Sequence, residues 1–243
     1  MPYKGIAYTQ LDTLIERGRG LRGQLENLGI RTFGDLATDD VSLPEERRYA
    51  LVVTVTDLTL GRLVRLPWDY RRVYGRDPDE QSVADAVRAS MSIPFVFQPV
   101  SLTSAARFTS TLVDGGVVSN FPIDSLDRID GVKPRWPTFG VTVAHGSPAG
   151  GDRKKRSMAS FGGGDLLERI VSTMLSGRDE SYLEQPWVRA RTIEVDSPGI
   201  RTFDFSITRS EIEECYAKGH AAAQDFLASW DWHSYCERFR VLP

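Results

Sequence analysis

The segment TLVDGGVVSNFP (residues 111–122) carries an apolar run into a carboxylate and two glycines. Such a run is typical of a β-strand, and Gly115 and Gly116 allow the backbone to turn sharply where the run ends. The segment therefore predicts a strand that delivers Asp114 to a loop. In α/β sheets, ligands and catalytic groups lie just past the carboxyl ends of strands. Asp114 is thus a candidate site residue, although Asp-Gly-Gly after a strand also occurs as a plain turn.

The composition excludes several classes of protein. The chain has 243 residues, which suits one large domain or two small ones, and 41% hydrophobic content is enough for a real core. A net charge of −3 gives no basic footprint for nucleic acid, so no nucleic-acid partner is expected. Two cysteines and three scattered histidines predict no metal and no disulfide framework. No apolar run has the length of a membrane span and residues 1–10 lack a secretory signal, so we expect a cytoplasmic protein.

Upstream of Asp114 the chain alternates strand and helix patterns. Residues 50–57 are almost continuously apolar and β-branched, which predicts a parallel strand covered on both faces. Asp57 ends this strand, and we expect its side chain to fasten the following turn rather than to catalyse. A second strand is predicted at residues 63–66. Residues 81–91 have a helical period that Pro94 ends. Ser90 and Ser92 lie at the helix end, where packing or capping is the expected role.

Downstream of Asp114 the same reasoning predicts strands at residues 137–143, 191–195 and 202–205. Helices are predicted at residues 123–126, 166–175 and 230–240. A further long helix is predicted to begin at Thr208, where Glu211 completes a capping box. Residues 145–164 are rich in glycine, serine and charge, which predicts a mobile surface loop. This segment includes the basic run at residues 153–156. Contact of that run with lipid headgroups at a membrane surface is the second interpretation, after a mobile loop.

Three segments together resemble the patatin-like phospholipase family. They are the turn TDLTLG (residues 56–61), the helix end AVRASMSIP (residues 86–94), and LVDGGV (residues 112–117) with Asn120 and Pro122. Their order and separations match the family over roughly residues 10–145. The resemblance implies an α/β three-layer sandwich with a mainly parallel central sheet, formed by a single domain over residues 1–243.

The resemblance also implies an activity, which is hydrolysis of lipid acyl esters by a Ser-Asp dyad without any cofactor. In such a dyad a serine attacks the ester and the aspartate, here Asp114, acts as its base. This requirement is physical, because a serine hydroxyl is a poor nucleophile at neutral pH and the tetrahedral oxyanion needs fixed N–H donors. The residues implied to support the site are Gly115, Gly116, Asp57, Asn120 and Pro94.

The sequence departs from the family at the nucleophile. The family carries its serine in a G-x-S-x-G elbow and its oxyanion donors in a glycine-rich loop, both upstream of the turn that matches Asp57, and no G-x-S-x-G occurs here. We therefore expect an N-terminally incomplete domain whose nucleophile segment precedes Met1 or lies on a partner chain. Two alternatives stay open, namely a non-catalytic relative that binds lipid or protein, and an inactive truncated product.

Overall fold

The structure is a computed structural model that describes residues 20–128, 132, 134–144, 180–196 and 207–240. The chain splits into two compact units, Met1–Asn120 and Phe121–Pro243. The predicted helix at residues 166–175, the strand at 202–205 and the loop at 145–164 lie outside the described residues. A single domain over residues 1–243 stays a prediction.

The first unit contains a four-stranded sheet with the order β2-β1-β4-β3. Its strands are β1 (Val53–Asp57), β2 (Arg62–Leu66), β3 (Val100–Thr103) and β4 (Thr109–Asp114). Every neighbouring pair is antiparallel, with Val55 opposite Val64 on one side and opposite Asp114 on the other. The strands predicted at residues 50–57 and 63–66 are therefore confirmed as strands.

The parallel direction predicted for residues 50–57 is wrong, and so is the prediction of a mainly parallel central sheet. Only residues 58–61 separate β1 from β2, and only residues 104–108 separate β3 from β4. Connections this short can join antiparallel neighbours only, because a parallel crossover needs a dozen residues or more. The apolar continuity of β1 reflects its place inside the sheet, where four of its five residues are buried. Burial of a central strand does not distinguish the two directions.

Helices and turns of the first unit surround this sheet. Helix α1 is Leu21–Asn27 and helix α2 is Val83–Ser90, with 3-10 turns at Phe33–Leu36, Glu45–Arg47, Pro78–Glu80 and Gly115–Val117 and a π turn at Tyr70–Tyr74. Gly29 has a φ of 78° and follows Leu28, the C-terminal cap of α1. The Ser82 side chain accepts a hydrogen bond from the backbone N–H of Asp85 and so begins α2.

The core of the first unit lies between α2 and the sheet. Helix α2 packs on β1 and β4 through Val83, Ala86 and Ala89, which are all buried. Phe33 meets the ring of Tyr70 edge-on, with the ring centroids 6.0 Å apart. The core is completed by Val53, Val55, Val64, Leu66, Tyr74 and Leu112. Because β1 and β4 are held by this core, the end of β4 has a fixed position.

The second unit is built around two parallel strands, β5 (Gly140–Ala144) and β6 (Thr192–Asp196). Its helices are α3 (Glu180–Leu183), α4 (Pro186–Arg189), α5 (Arg209–Ser229) and α6 (Trp232–Phe239), with a 3-10 turn at Ile123–Leu126. The predicted capping box of Thr208 and Glu211 is confirmed at the start of α5. The predicted terminal helix is docked, because Tyr235 is buried and its hydroxyl donates to the carbonyl of Trp187 at 3.2 Å. Among the described residues no helix combines the length and apolarity of a membrane span.

A buried ion pair ties the second unit together. The Arg191 side chain is 2% exposed, and its two terminal nitrogens donate to the two carboxylate oxygens of Asp127 at 2.5 and 2.7 Å. The Arg240 guanidinium reaches the same carboxylate at 2.8 Å. Asp127 therefore joins the loop after residue 126, the start of β6 and the end of α6.

Replacing Asp127 tests this connection. Asp127→Ala leaves the buried Arg191 guanidinium without its carboxylate, so we expect the free energy of unfolding to fall by about 3–5 kcal/mol. The control is Glu213→Ala, since Glu213 pairs with Arg209 on the surface, where the two side chains are 68% and 92% exposed. That loss should stay below about 1 kcal/mol. Urea denaturation measures both, and similar losses for the two variants would contradict a stabilising role for Asp127.

Candidate active site

Asp114 is the last residue of β4, as the sequence predicts. Its backbone N–H donates to the carbonyl of Ser92 at 3.0 Å, which links the end of β4 to the segment after α2. Its Oδ1 accepts the backbone N–H of Gly116 at 2.7 Å and thereby caps the turn Gly115–Val117. These two hydrogen bonds fix both the backbone and one carboxylate oxygen of Asp114.

The surroundings of this carboxyl group shift its protonation. Burial raises the pKa of Asp114 above its ordinary value of 3.8, while the hydrogen bond from Gly116 acts in the opposite direction and is the weaker influence. Among the described residues, Gly116 is the only hydrogen-bond partner of the Asp114 side chain, so Oδ2 accepts no hydrogen bond from them, and no cation pairs with the carboxylate. A carboxylate with a raised pKa is a stronger base than an ordinary one.

Gly115 brings the turn against the neighbouring strand. A Cβ at this position would lie 2.5 Å from the carbonyl oxygen of Thr54 and 2.6 Å from its Oγ1, distances that no side chain tolerates. The Thr56 hydroxyl donates to the carbonyl of Gly115 at 3.4 Å. The two glycines thus have different roles, because Gly115 permits the close approach and Gly116 supplies the N–H.

Asp57 has the structural role that the sequence favours. It is fully buried, and its Oδ1 accepts the backbone N–H groups of Thr59 and Leu60 at 2.9 and 3.0 Å. Its Oδ2 accepts the hydroxyl of Tyr74 at 2.8 Å. Both oxygens are therefore engaged in holding the β1–β2 turn to the core, and this confirms the interpretation of Asp57 as a turn fastener.

The remaining predicted residues lie near these elements, and their described contacts give them no chemical role. The Ser92 hydroxyl is buried and donates to the carbonyl of Arg88 at 2.9 Å, which confirms capping rather than nucleophilic exposure. Pro94 is half-buried in the turn after α2, and Asn120 is exposed at the end of the first unit. Sequence reasoning missed the contact between Ser92 and Asp114, because it runs through backbone atoms and leaves no side-chain signal.

Within the ranges that the structure describes, no group of three His, Cys, Asp or Glu side chains is arranged to hold a metal ion. At Asp114 the structure places a carboxylate with one oxygen held by the backbone N–H of Gly116.

The family model described as Patatin-like phospholipase matches residues 9–127. This range contains Asp57, Pro94, Asp114, both glycines and Asn120, so the predicted resemblance to the family is confirmed over these residues.

Among individual proteins, the chain is 31% identical over 204 residues to the uncharacterized protein YqhO of Bacillus subtilis (strain 168), an alignment covering 84% of this chain and 62% of YqhO. VipD from Legionella pneumophila aligns in structure with a TM-score of 0.46 and 22% identity, covering 82% of this chain and 35% of VipD. The chain thus spans less than two thirds of either protein.

Gly115→Ala tests the close approach of the turn to β1. The added Cβ would meet the Thr54 carbonyl at 2.5 Å, so the strands must separate and we expect a loss of about 1–3 kcal/mol in unfolding free energy. The matched control is Gly219→Ala in α5, where the nearest atom to the new Cβ is 4.0 Å away. Alanine is the better helix former, so this control should gain about 0.5–1 kcal/mol. A neutral Gly115→Ala in chemical denaturation would contradict the geometry.

Asp114→Asn tests the electrostatic cost of the site. Because the pKa of Asp114 is raised in the folded state, its charge destabilises the fold at neutral pH, and this cost disappears as the pH falls through the folded pKa toward 3.8. The asparagine oxygen still accepts the Gly116 N–H, so the variant should be more stable than wild type near pH 7 and equally stable in acid. The comparison requires denaturation curves at several pH values.

Asp35→Asn is the control with the opposite sign. The N–H groups of Thr32 and Arg31 hold the pKa of Asp35 below 3.8, so its charge stabilises the fold above that pH. Asp35→Asn should therefore be less stable than wild type at neutral pH, with the difference lost as the pH falls through the lowered folded pKa. If both variants shifted stability in the same direction, the assigned electrostatics of Asp114 would be wrong.

Proposed function

We propose that this chain supplies the base of a patatin-type lipid acyl hydrolase and that Asp114 is that base. The observation that carries the proposal is the half-buried carboxylate at the end of β4, with one oxygen held by Gly116 and a pKa raised by burial. The match of residues 9–127 to the patatin-like phospholipase family supports it, because that segment includes the whole Asp-Gly-Gly turn.

The proposed reaction begins with a serine hydroxyl placed against the free Oδ2 of Asp114. As the serine oxygen attacks the ester carbonyl carbon, its proton passes to Asp114 and the carbonyl electrons move onto the oxygen. When this tetrahedral intermediate collapses, the bond to the alcohol breaks and the proton on Asp114 passes to the departing oxygen. Water then repeats the sequence on the acyl-serine and releases the fatty acid.

The two candidate carboxylates are distinguished by their hydrogen bonds. Asp57 is fully buried, and both of its oxygens already accept hydrogen bonds from two backbone N–H groups and one hydroxyl, so a substrate or serine proton cannot reach it without breaking the turn. Asp114 has one oxygen held by Gly116 and one oxygen that accepts no hydrogen bond from the described residues. The base is therefore assigned to Asp114, with Asp57 as a structural residue.

The nucleophile is proposed to come from residues outside this sequence, on the same polypeptide or on a partner chain. No G-x-S-x-G occurs among the 243 residues. Ser92, whose backbone carbonyl accepts the N–H of Asp114, has a buried hydroxyl that donates to the carbonyl of Arg88. The proposed substrate is a lipid acyl ester. A peripheral membrane contact is proposed for residues 153–156, which lie outside the described residues.

A second candidate function follows from the same absence. Without an elbow serine a patatin-like fold can still bind a lipid or a protein, and the missing G-x-S-x-G motif specifically favours this alternative. The two functions differ in whether any natural polypeptide containing these residues turns over an ester.

The decisive measurement is ester turnover by the longest natural polypeptide that contains these residues. Asp114→Asn should lower kcat with a short-chain p-nitrophenyl ester by about 10²–10⁴-fold, because general-base catalysis by a positioned side chain contributes this much. The control Asp57→Asn should lower the melting temperature and leave kcat within a few-fold of wild type when assayed well below that temperature.

Three outcomes separate the hypotheses. Wild-type turnover by Asp114→Asn would reject Asp114 as the base. A polypeptide that neither hydrolyses esters nor reacts with a fluorophosphonate probe would favour the binding function. Residues 1–243 by themselves should not be labelled by that probe, and stoichiometric labelling would show that a serine within this sequence is the nucleophile.

A further inference from the structure

Phe95 has a backbone conformation that is unusual for its side chain. Its φ is 67°, in the left-handed region, and its side chain is 63% exposed. A bulky residue at positive φ is a genuine outlier, since glycine or asparagine adopts this conformation at lower cost. Burial does not offset the cost here, because most of the ring faces solvent. The ring must therefore contribute something other than packing within the fold.

The strained turn is attached directly to the candidate active site. The backbone N–H groups of Val96 and Phe97 donate to the carbonyl of Ile93 at 3.1 and 2.9 Å, which closes the turn around Phe95. The carbonyl of Ser92, at the start of this turn, accepts the N–H of Asp114 at 3.0 Å. Three residues of chain span at most about 11 Å, so Phe95 cannot lie far from Asp114.

Arg107 provides a comparison within the same unit. It is the other non-glycine residue with positive φ in the described part of the chain, at 64°. Its N–H donates to Ser104, and the N–H of Ser104 donates to Phe108, so Arg107 occupies the left-handed position of the short β3–β4 hairpin. Hairpin geometry explains Arg107. Phe95 lies between a helix and a strand, where no hairpin requires such a residue.

The segment that carries Phe95 is also apolar and uncharged. Residues 89–106 contain no Asp, Glu, Lys or Arg, and Met91, the first residue after α2, is 48% exposed. An exposed aromatic ring and a flexible thioether on the segment that is hydrogen-bonded to Asp114 suit a ligand that is polar at one end and a flexible hydrocarbon at the other. An acyl ester has this form, since its carbonyl must reach the serine beside Asp114 while its chain extends away.

We propose that Phe95, together with Met91, forms the contact for the acyl chain of the substrate. This inference rests on the proposed function and specifies where the hydrocarbon lies. The left-handed backbone keeps the ring exposed on the segment that is hydrogen-bonded to Asp114, and bound hydrocarbon covers the ring. A lipid surface is the less favoured occupant, because residues 89–106 offer no cation to anionic headgroups.

The test measures binding and stability together. Monomeric dihexanoyl phosphatidylcholine, kept below its critical micelle concentration, is titrated into residues 1–243 by calorimetry, and glycerophosphocholine serves as the ligand control without acyl chains. Phe95→Gly should weaken binding by roughly tenfold to a hundredfold, the loss expected when a ring no longer covers hydrocarbon. The same variant should raise the melting temperature, because glycine relieves the left-handed backbone.

Two further variants separate the ring from the backbone. Arg107→Gly relieves a similar φ and should raise the melting temperature without changing lipid binding. Phe95→Leu keeps an apolar side chain on the strained backbone and should retain most of the affinity. If Phe95 had only a structural role, Phe95→Gly would not weaken lipid binding while raising the melting temperature.

The inference is overturned if wild type does not bind the monomeric lipid, if Phe95→Gly binds it as well as wild type, or if Phe95 variants change only binding to phosphatidylcholine vesicles. The last outcome would assign Phe95 to a membrane surface. None of these results changes the turnover test of Asp114→Asn, so failure of the acyl-chain contact and failure of the proposed base are distinguishable.

Discussion

The close approach of the Asp-Gly-Gly turn to β1 is the constraint on which the candidate site depends. At Gly115 the backbone comes so near Thr54 that a single methyl group would overlap the carbonyl oxygen at 2.5 Å. This contact sets the Gly116 N–H in place, and that N–H in turn orients one oxygen of Asp114. The direction of the carboxylate is therefore a consequence of strand packing, and the core between α2 and the sheet maintains it.

Two features of the candidate site lower the stability of the folded state. A carboxylate whose pKa is raised by burial destabilises the folded state at neutral pH, and an exposed phenylalanine at positive φ does so through its backbone. Both features lie on segments joined by one hydrogen bond, from the N–H of Asp114 to the carbonyl of Ser92. Stability given up at two linked positions is typical of a functional site, because reactivity and exposure are what such a site requires.

Asp57 and Asp127 show the contrasting use of carboxylates. Asp57 is surrounded by hydrogen-bond donors, and Asp127 is placed between two guanidinium groups. In both cases the charge is satisfied by its neighbours and each carboxylate connects elements within its own unit. Sequence similarity to a family motif does not by itself separate such structural acids from Asp114. In the structure they differ in how many carboxylate oxygens accept hydrogen bonds from described residues, which is both in Asp57 and Asp127 and one in Asp114.

The amino-acid sequence by itself determined the local features: the strand that ends at Asp114, the turn fastened by Asp57 and the capping box of Thr208 and Glu211. The turn and the capping box depend on hydrogen bonds within a few residues, and the end of the strand is marked by an apolar run followed by two glycines, so all three are encoded in adjacent residue types. The resemblance of the segment around Asp114 to the patatin-like family could also be recognised in the sequence, because it rests on short motifs in a fixed order.

Only the tertiary structure decided the direction of β1, the burial of Asp114 and the close contact of Gly115. The predicted parallel sheet failed because apolar continuity reports burial, whereas strand direction depends on which strands pair and on the length of their connections. Thr54 and Gly115 are far apart in the chain, as are Ser92 and Asp114, so nothing local records their contacts. The pKa of Asp114 and the exposure of Phe95 depend on surroundings that exist only after the chain has folded.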